Sequence, residues 1–302
     1  LGMRLLAANK DGAIELFHPD HAEPGLSLKG LDLPRALLLA QHLLLGWNDR
    51  QLRIWHLTPL LYGDPCRMDR NATLPLSAPL QCNPAHRPGE LLWAAGSSLE
   101  CWQWQLSGLE RRWRRPVRQV RGLLGWGQHW LSLESNAVQL WCGATGDPLQ
   151  RWPLEGDLSD WCLLPERLLL LTRQGTVWKF QGNRLQSLWS QPETSFSLNC
   201  AGRHLVIAQG TRVRILAMDS GQASSLELLH PCVVKPLVHS SWALLPSYDG
   251  VLYQLDLSAR PSVVGAHTLY SSFEPTTRPF QLWGQRLFSL SPEGNLDCWQ
   301  LG

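Results

Sequence analysis

The histidines of this chain are the first residues to consider for metal binding or catalysis. Ten are present, and one close pair, His18 and His21, lies in His-Pro-Asp-His. Imidazoles three residues apart in a turn can share a metal ion, but no second ligand pair at a zinc-like spacing accompanies them. His42, His129 and His204 each begin an apolar segment where arginine stands in other copies of the repeat described below, which indicates hydrogen bonding. We expect no metal and no cofactor.

Eight cysteines are the next candidates, and their spacing contains no Cys-x-x-Cys half-site. A chain of this length does not need a disulfide framework. The cysteines recur near two positions of the repeat, which is typical of small buried apolar residues. Those near the first position are Cys82, Cys162, Cys200 and Cys232; those near the second are Cys101, Cys142 and Cys298. We predict that the first four are buried and reduced, and that the protein is cytoplasmic.

One segment carries a strong local charge: residues 111–121 contain six arginines around Trp113. Guanidinium groups beside an aromatic ring suit a carboxylate, a phosphate or a stacked base. The alternative is a charged edge strand that prevents edge-to-edge aggregation. Because the formal net charge of the chain is only +2, nucleic acid is the least favoured reading. Edge protection is favoured, followed by an acidic protein partner.

The composition indicates many short strands. Hydrophobic residues make up 44% of the chain and charged residues only 17%. The chain also contains 25 Gly, 21 Pro and 16 Trp. No apolar run reaches the length of a membrane-spanning helix, so no membrane insertion is expected. The first residues lack the pattern of a secretory leader, which also favours the cytoplasm. The chain contains no nucleophile elbow, P-loop or His-Glu-x-x-His motif, and we predict a non-enzymatic protein.

A repeat of about 40 residues runs along the chain. Each copy has two short apolar strands joined by a turn that ends in His or Arg, a polar turn, and a third alternating strand with a large apolar anchor. An outer strand usually follows. The anchors are Phe17, Trp55, Trp104, Trp141, Phe180, Leu216, Leu255 and Trp299. Four antiparallel strands per repeat predict an all-β propeller in one domain over residues 1–302, with eight blades favoured and seven as the alternative.

The repeat resembles the WD-repeat and quinoprotein-like β-propellers, here a non-enzymatic and bacterial member. The segments Asp249-Gly-Val-Leu-Tyr-Gln-Leu-Asp256 and Lys10–Phe17 are similar to a recurring quinoprotein strand. The segment Trp141–Trp152 is similar to the tryptophan-docking segment of that family, in which a Thr-Gly turn is followed by a tryptophan wedged between blades. Quinoprotein dehydrogenases also have a calcium-bound quinone and adjacent disulfide-linked cysteines; this chain has no Cys-Cys pair, which excludes that activity.

The function that these observations favour is a non-catalytic protein-interaction scaffold, a rigid subunit of a multi-protein bacterial system. Propellers of this kind occur beside AAA-type NTPases and von Willebrand-type subunits, which are therefore the expected partners. The alternatives are a periplasmic scaffold of the outer-membrane-assembly type and an enzyme with an active site in the central channel.

The predicted binding surface lies on the face where the turns between second and third strands open. Antiparallel alternation places the loop after the arginine-rich strand on the same face. The residues predicted to contact a partner there are Arg50, Arg114, Arg115, Arg118, Arg173 and Tyr248, with Trp47 and Trp126 near the same loops.

Overall fold

The computed structural model is all-β in its described part, as predicted, and no helix occurs among the described residues. Those residues are 5–8, 14–17, 24–28, 36–40, 43–56, 72–105, 108–195, 197–232, 234–239, 241–258, 260–269, 281–283, 286–290 and 296–300. The chain divides into two compact units, unit 1 (Leu1–Pro153) and unit 2 (Leu154–Gly302). No described segment forms an apolar helix long enough to cross a membrane.

Unit 1 contains four antiparallel sheets whose strands follow one another in chain order. The first sheet is β1 (Leu5–Ala8), β2 (Ile14–Phe17) and β3 (Pro24–Leu28); the second is β4 (Ala36–Ala40), β5 (Leu43–Trp47), β6 (Gln51–His56) and β7 (Ala72–Pro75). The third is β8 (Ala85–Arg87), β9 (Glu90–Ala95), β10 (Ser98–Gln105) and β11 (Gly108–Pro116); the fourth is β12 (Val120–Trp126), β13 (His129–Glu134), β14 (Ala137–Cys142) and β15 (Pro148–Pro153).

Unit 2 repeats this organisation in four further sheets. They comprise β16 (Leu158–Leu164), β17 (Arg167–Thr172), β18 (Thr176–Gln181) and β19 (Arg184–Ser190); then β20 (Ser197–Ala201), β21 (His204–Ala217) and β22 (Ala223–Cys232). The last two are β23 (Leu237–Val238), β24 (Trp242–Pro246), β25 (Val251–Asp256) and β26 (Ser262–Thr268); then β27 (Gln281–Trp283), β28 (Arg286–Leu290) and β29 (Leu296–Gln300).

Each predicted anchor residue lies in a different sheet, on the strand equivalent to the third strand of the repeat. In unit 2, β21 covers two predicted strands in one continuous element. Its residues 204–208 pair with β20, and its residues 210 and 212–216 pair with β22. Gly210, with a φ of 72°, lies where the pairing partner changes.

A one-residue bulge in the outer strand recurs in five sheets. In each of these sheets, two consecutive residues of the third strand face three consecutive residues of the outer strand. The middle one of those three has no partner. Such bulges raise the local twist and discourage pairing with another edge strand. The extra residues are Gly25, Arg112, Leu149, Leu188 and Val264.

Side chains near the inner edge connect neighbouring sheets within each unit. In unit 1, the backbone N–H of Val120 donates to Gln81 Oε1 at 2.5 Å. In unit 2, the N–H of Leu198 donates to Asp160 Oδ2 at 2.9 Å, and Asn199 Nδ2 donates to the carbonyl of Pro236 at 2.7 Å. These contacts fix how the inner strands lie against one another and therefore position the loops at their ends.

Candidate functional site

Arg112, in the arginine-rich outer strand β11, is held by a buried carboxylate. The Glu90 side chain is only 9% exposed and forms ion pairs with Arg87 and Arg112. The Arg87 guanidinium also lies 4.4 Å from the ring centre of Trp130 in the next sheet. Arg112 therefore belongs to a structural cluster, since the nearly buried charge of Glu90 is balanced by these guanidinium groups.

A second carboxylate, Glu100, holds two more arginines of β11. Arg114 Nε lies 3.4 Å from Glu100 Oε1, and Arg111 Nη1 lies 4.0 Å from Oε2. The indole of Trp102 donates to Glu100 Oε2 at 3.1 Å. Arg114 also donates to Ser98 Oγ, so much of its hydrogen-bonding capacity is used within its own sheet.

Arg115 binds the turn between β14 and β15 of the following sheet. Its Nη2 donates to Asp147 Oδ1 at 2.9 Å and to the carbonyl of Thr145 at 2.7 Å. Hydrogen bonds from the Thr145 hydroxyl and the Arg115 guanidinium hold the pKa of Asp147 below its usual value. Arg115 was predicted to contact a partner, but its guanidinium is already bound within unit 1.

Arg118 and Arg121 differ from the arginines of β11. Both side chains are exposed, and neither forms an ion pair with a described residue at 4.0 Å or less. The loop that contains Arg118 is fixed at both ends: Val117 N–H donates to the carbonyl of Ser97 at 2.9 Å, and Ser135 Oγ donates to Gln119 Oε1 at 3.1 Å.

These loop contacts define the turn-bearing end of unit 1, because residues 97 and 135 belong to turns between second and third strands. Arg50 lies in the corresponding turn of the second sheet, and its side chain is exposed. Its N–H donates to Asn48 Oδ1 at 2.9 Å, while its carbonyl accepts from Leu76 N–H at 2.7 Å. The segment after Leu76 continues to Pro79, whose carbonyl accepts from Gly96 N–H at 3.4 Å.

Unit 2 has an equivalent turn-bearing end. Arg173 is exposed there, and its carbonyl accepts from Ser195 N–H at 3.1 Å. The Ser195 hydroxyl in turn accepts from Gln209 Nε2 at 2.8 Å, which brings the next turn alongside. Tyr248 is 42% exposed, and its N–H donates to the carbonyl of Pro231 at 2.8 Å.

The two tryptophans predicted to lie on the contact surface have different environments. Trp47 is only 6% exposed and packs in a cluster with Leu45, Leu52 and Trp93. Its place at the end of β5 made it a surface candidate, but the apolar faces of two sheets cover it, and we withdraw it from the candidate surface. Trp126, the last residue of β12, is partly exposed and stays a candidate.

The cysteines behave mainly as core residues. Cys162, Cys200 and Cys232 are buried, as predicted, whereas Cys82 is only partly buried at the edge of its cluster. All seven cysteines within the described part of the chain are free thiols. Burial raises the pKa of Cys101 and Cys232 to about 12, so these thiols are neutral and unreactive at ordinary pH.

The described residues contain no group of three or more metal-binding side chains. His18, His21 and His42 lie outside the described residues. His129 and His204 are the first residues of β13 and β21, the strand starts where the repeat placed them.

No protein-family model matches the chain, and no curated protein matches it. Solved structures do resemble it over its full length. The computationally designed Ika8 protein superposes with a TM-score of 0.76 at 12% identity, covering 100% of this chain and 94% of its own. BamB from Moraxella catarrhalis gives 0.75 at 12% identity, covering 100% and 95%; Sqt1 from Saccharomyces cerevisiae gives 0.75 at 10%, covering 100% and 93%.

The fold is a β-propeller. The propeller of four-stranded antiparallel blades predicted from the repeat is thereby confirmed. At these identities the likeness establishes the fold alone, because one fold carries many functions. The single domain over residues 1–302 and the binding surface stay predictions.

Two features of the sites were not anticipated from sequence. Glu90 begins a strand whose other residues are all apolar, and Glu100 lies between Leu99 and Cys101, which is a usable signal for a buried ion pair. Leu229, in the outer strand β22, is 87% exposed, and nothing in its local pattern indicates this.

Proposed function

We propose that this propeller is a non-catalytic protein-interaction scaffold, a cytoplasmic subunit of a multi-protein bacterial system. The turn-bearing end of unit 1 binds an acidic segment of a protein partner. The observation that carries the proposal is the contrast within one arginine run: Glu90, Glu100 and Asp147 form ion pairs with four guanidinium groups, whereas the exposed Arg118 and Arg121 form none at 4.0 Å or less with a described residue.

The ion pairs of the four β11 arginines make Arg118 and Arg121 more effective for binding. Because the strand before Arg118 is tied to neighbouring elements, little conformational entropy of the backbone is lost when a partner binds. A guanidinium presents paired donors that match a carboxylate, so two exposed arginines three residues apart favour an acidic segment. The surrounding solvent screens such contacts, and binding should weaken as salt is added.

The partner that we propose first is an AAA-type NTPase or a von Willebrand-type subunit. The support is the resemblance to bacterial propellers that occur beside such proteins. The buried thiols Cys101, Cys162, Cys200 and Cys232 support the cytoplasmic assignment, because free buried cysteines suit a reducing compartment.

Affinity purification of the tagged chain from its native host tests the proposal. The variant Arg118→Ser/Arg121→Ser should recover about tenfold less of a salt-sensitive partner, equivalent to about 1.4 kcal/mol of lost binding free energy. The control Arg184→Ser/Arg260→Ser removes the same charge from exposed positions elsewhere and should retain the partner. Both variants should melt within a few degrees of the parent, since exposed charges contribute little to stability.

Equal recovery in both double variants would refute the arginine surface, because only total charge would then matter. A nucleic acid recovered in place of a protein would refute the proposed partner class.

A further inference from the structure

The outer strand β26 of unit 2 has a free edge that lacks the usual protection. The strand is the last of its sheet, and among the described strands it pairs only with β25. The other described outer strands contain a charged residue or a proline, both of which discourage pairing with a further strand. Charged residues are present in β11, β15, β19 and β22, and prolines in β3 and β7. The sequence of β26, Ser262-Val-Val-Gly-Ala-His-Thr268, has neither.

This strand is accessible along most of its length. Six of its seven residues are exposed, and among them Val263 and Val264 are 41% and 57% exposed. The one-residue bulge at Val264 interrupts the pairing with β25 near the start of the strand. Residues 265–268 beyond the bulge pair with β25 in one unbroken register. The protection that a bulge gives is therefore confined to one end of β26.

The regular part of β26 directs backbone hydrogen-bonding groups away from its own sheet. The N–H of Leu269 donates to the carbonyl of Gly250 at 2.9 Å, so the backbone of Leu269 faces β25. The bonding direction alternates along an antiparallel strand, and His267 therefore also bonds to β25, whereas Ala266 and Thr268 direct their N–H and C=O groups outward. These outward groups are the donors and acceptors that a further antiparallel strand requires.

The charge pattern of β26 favours a second copy of this chain as the strand that pairs with it. Antiparallel pairing of two identical strands creates a two-fold axis, and each residue near the axis lies close to its own copy. A charged residue near the axis would face the same charge, which opposes pairing of the charged outer strands with themselves. The residues around the centre of the regular part include Gly265, Ala266 and Thr268, which are small and uncharged. Two such backbones can approach each other closely.

We propose that two copies of the protein form a dimer through β26. The two-fold axis passes beside His267, and Ala266 of one copy pairs with Thr268 of the other, so that two sheets join edge to edge through about four backbone hydrogen bonds. Two short strands bury less area than the roughly 1,200 Å² of a stable interface, so the dimer is weak and depends on protein concentration. Each dimer has two arginine surfaces, which favours a partner with two acidic segments.

Disulfide trapping tests the geometry of this dimer. The variant His267→Cys places a thiol beside the axis, where facing Cα atoms are about 4.5 Å apart, a distance that a disulfide spans. The matched control Ser187→Cys places a thiol at an exposed position of β19, which begins with Arg184. Air oxidation of the full chain with copper-phenanthroline should link His267→Cys at least about tenfold faster than the control. Peptide mass spectrometry should find the bond between the two thiols at position 267, and the parent chain gives the background from its native cysteines.

Sedimentation equilibrium of the full chain measures the dimer without a crosslink. The dimer fraction of the parent should rise between about 10 and about 500 µM. His267→Lys places like charges on the two sides of the axis and should raise the dimer dissociation constant at least about tenfold. Ser187→Lys adds the same charge to β19 and should leave the constant unchanged, as should Arg118→Ser/Arg121→Ser. All three variants should melt within a few degrees of the parent, since exposed charges contribute little to stability.

Several results would overturn the proposal. A parent chain that stays monomeric up to about 500 µM would do so, as would equal disulfide formation in His267→Cys and Ser187→Cys. A dimer that His267→Lys does not weaken would use another surface. A crosslink from position 267 to a different protein in an extract of the native host, with none to a second copy, would assign the free edge to that protein. None of these results bears on the arginine surface, because that surface is tested by recovery of a partner and not by dimer formation.

Discussion

The indole ring of Trp113 occupies the space that a side chain at position 146 would need. A Cβ added to Gly146 would lie 2.4 Å from Trp113 Cδ2, and the indole Nε1 donates to the carbonyl of Gly143 at 3.0 Å. The outer strand of one sheet thus docks on the Thr145-Gly146 turn of the next. The resemblance pointed to this turn, but the tryptophan that reaches it comes from the preceding sheet and not from position 152.

This docking predicts that Gly146→Ala is strongly destabilising. The new methyl group would clash with an indole that has no free space, and the φ of 73° at Gly146 disfavours any side chain. Together these effects should lower the free energy of unfolding by about 3 kcal/mol. Urea unfolding followed by tryptophan fluorescence measures the change.

Gly127→Ala is the matched control, because Gly127 also has a positive φ, 58°, but nothing lies within 4 Å of an added Cβ. This variant should lower the free energy of unfolding by only about 1 kcal/mol, the cost of placing a side chain at a positive φ. An equal loss in the two variants would show that strain, and not the Trp113 contact, determines the cost at Gly146.

A second prediction concerns the carboxylate of Glu90. Glu90→Gln removes the negative charge that two guanidinium groups share in a nearly buried site, so the free energy of unfolding should fall by about 3–5 kcal/mol. The control Asp219→Asn breaks a fully exposed pair with Arg203, in which both side chains are more than 60% exposed. It should change stability by less than about 1 kcal/mol. A Glu90→Gln chain as stable as the control would mean that the Arg87–Glu90–Arg112 cluster contributes little.

Thiol reactivity gives a third prediction. Hydrogen bonds from Thr145 and Ala144 lower the pKa of Cys142, whereas burial raises the pKa of Cys101 and Cys232 to about 12. Because the thiolate is the nucleophile, iodoacetamide at neutral pH should modify Cys142 well before the other two. Peptide mass spectrometry over time measures the order. Cys101 and Cys232 should react only after urea is added, and early labelling of either would contradict the described burial.

The repeat made the fold predictable, because a few neighbouring residues are enough to indicate each of its strands. Alternation such as Val251–Asp256 marks a strand by itself, and the same anchor type returns at each third strand. Within each unit, antiparallel alternation accounts for the turns that lie together at one end. The inner-strand cysteines were predictable for the same reason, since equivalent positions of a repeat meet equivalent surroundings.

The candidate site was less predictable, because it depends on contacts distant in sequence. Arg112, Arg115 and Arg118 read alike along the chain. Only the register of β11 against β10 and the turn at Asp147 shows which guanidinium groups already have partners. Trp47 was misread because its burial depends on a neighbouring sheet. Leu229 is exposed because the pairing register of β22 changes there, and local sequence does not encode such a change.

The fourth prediction is a loss of stability at alkaline pH that the buried thiols cause. Burial raises the pKa of Cys101 and Cys232 to about 12 and that of Cys200 to about 11, whereas a thiol in the unfolded chain ionises near pH 8.5. The folded state therefore binds more protons above that pH, and its stability falls as pH rises, by up to about 1.4 kcal/mol per thiol per pH unit. The urea midpoint, measured with reductant at pH 7.5 and pH 10, should drop less in Cys101→Ala/Cys200→Ala/Cys232→Ala than in the parent, even though the variant starts less stable. Parallel pH profiles for the two chains would show that other groups, such as the buried Tyr253, cause the alkaline loss.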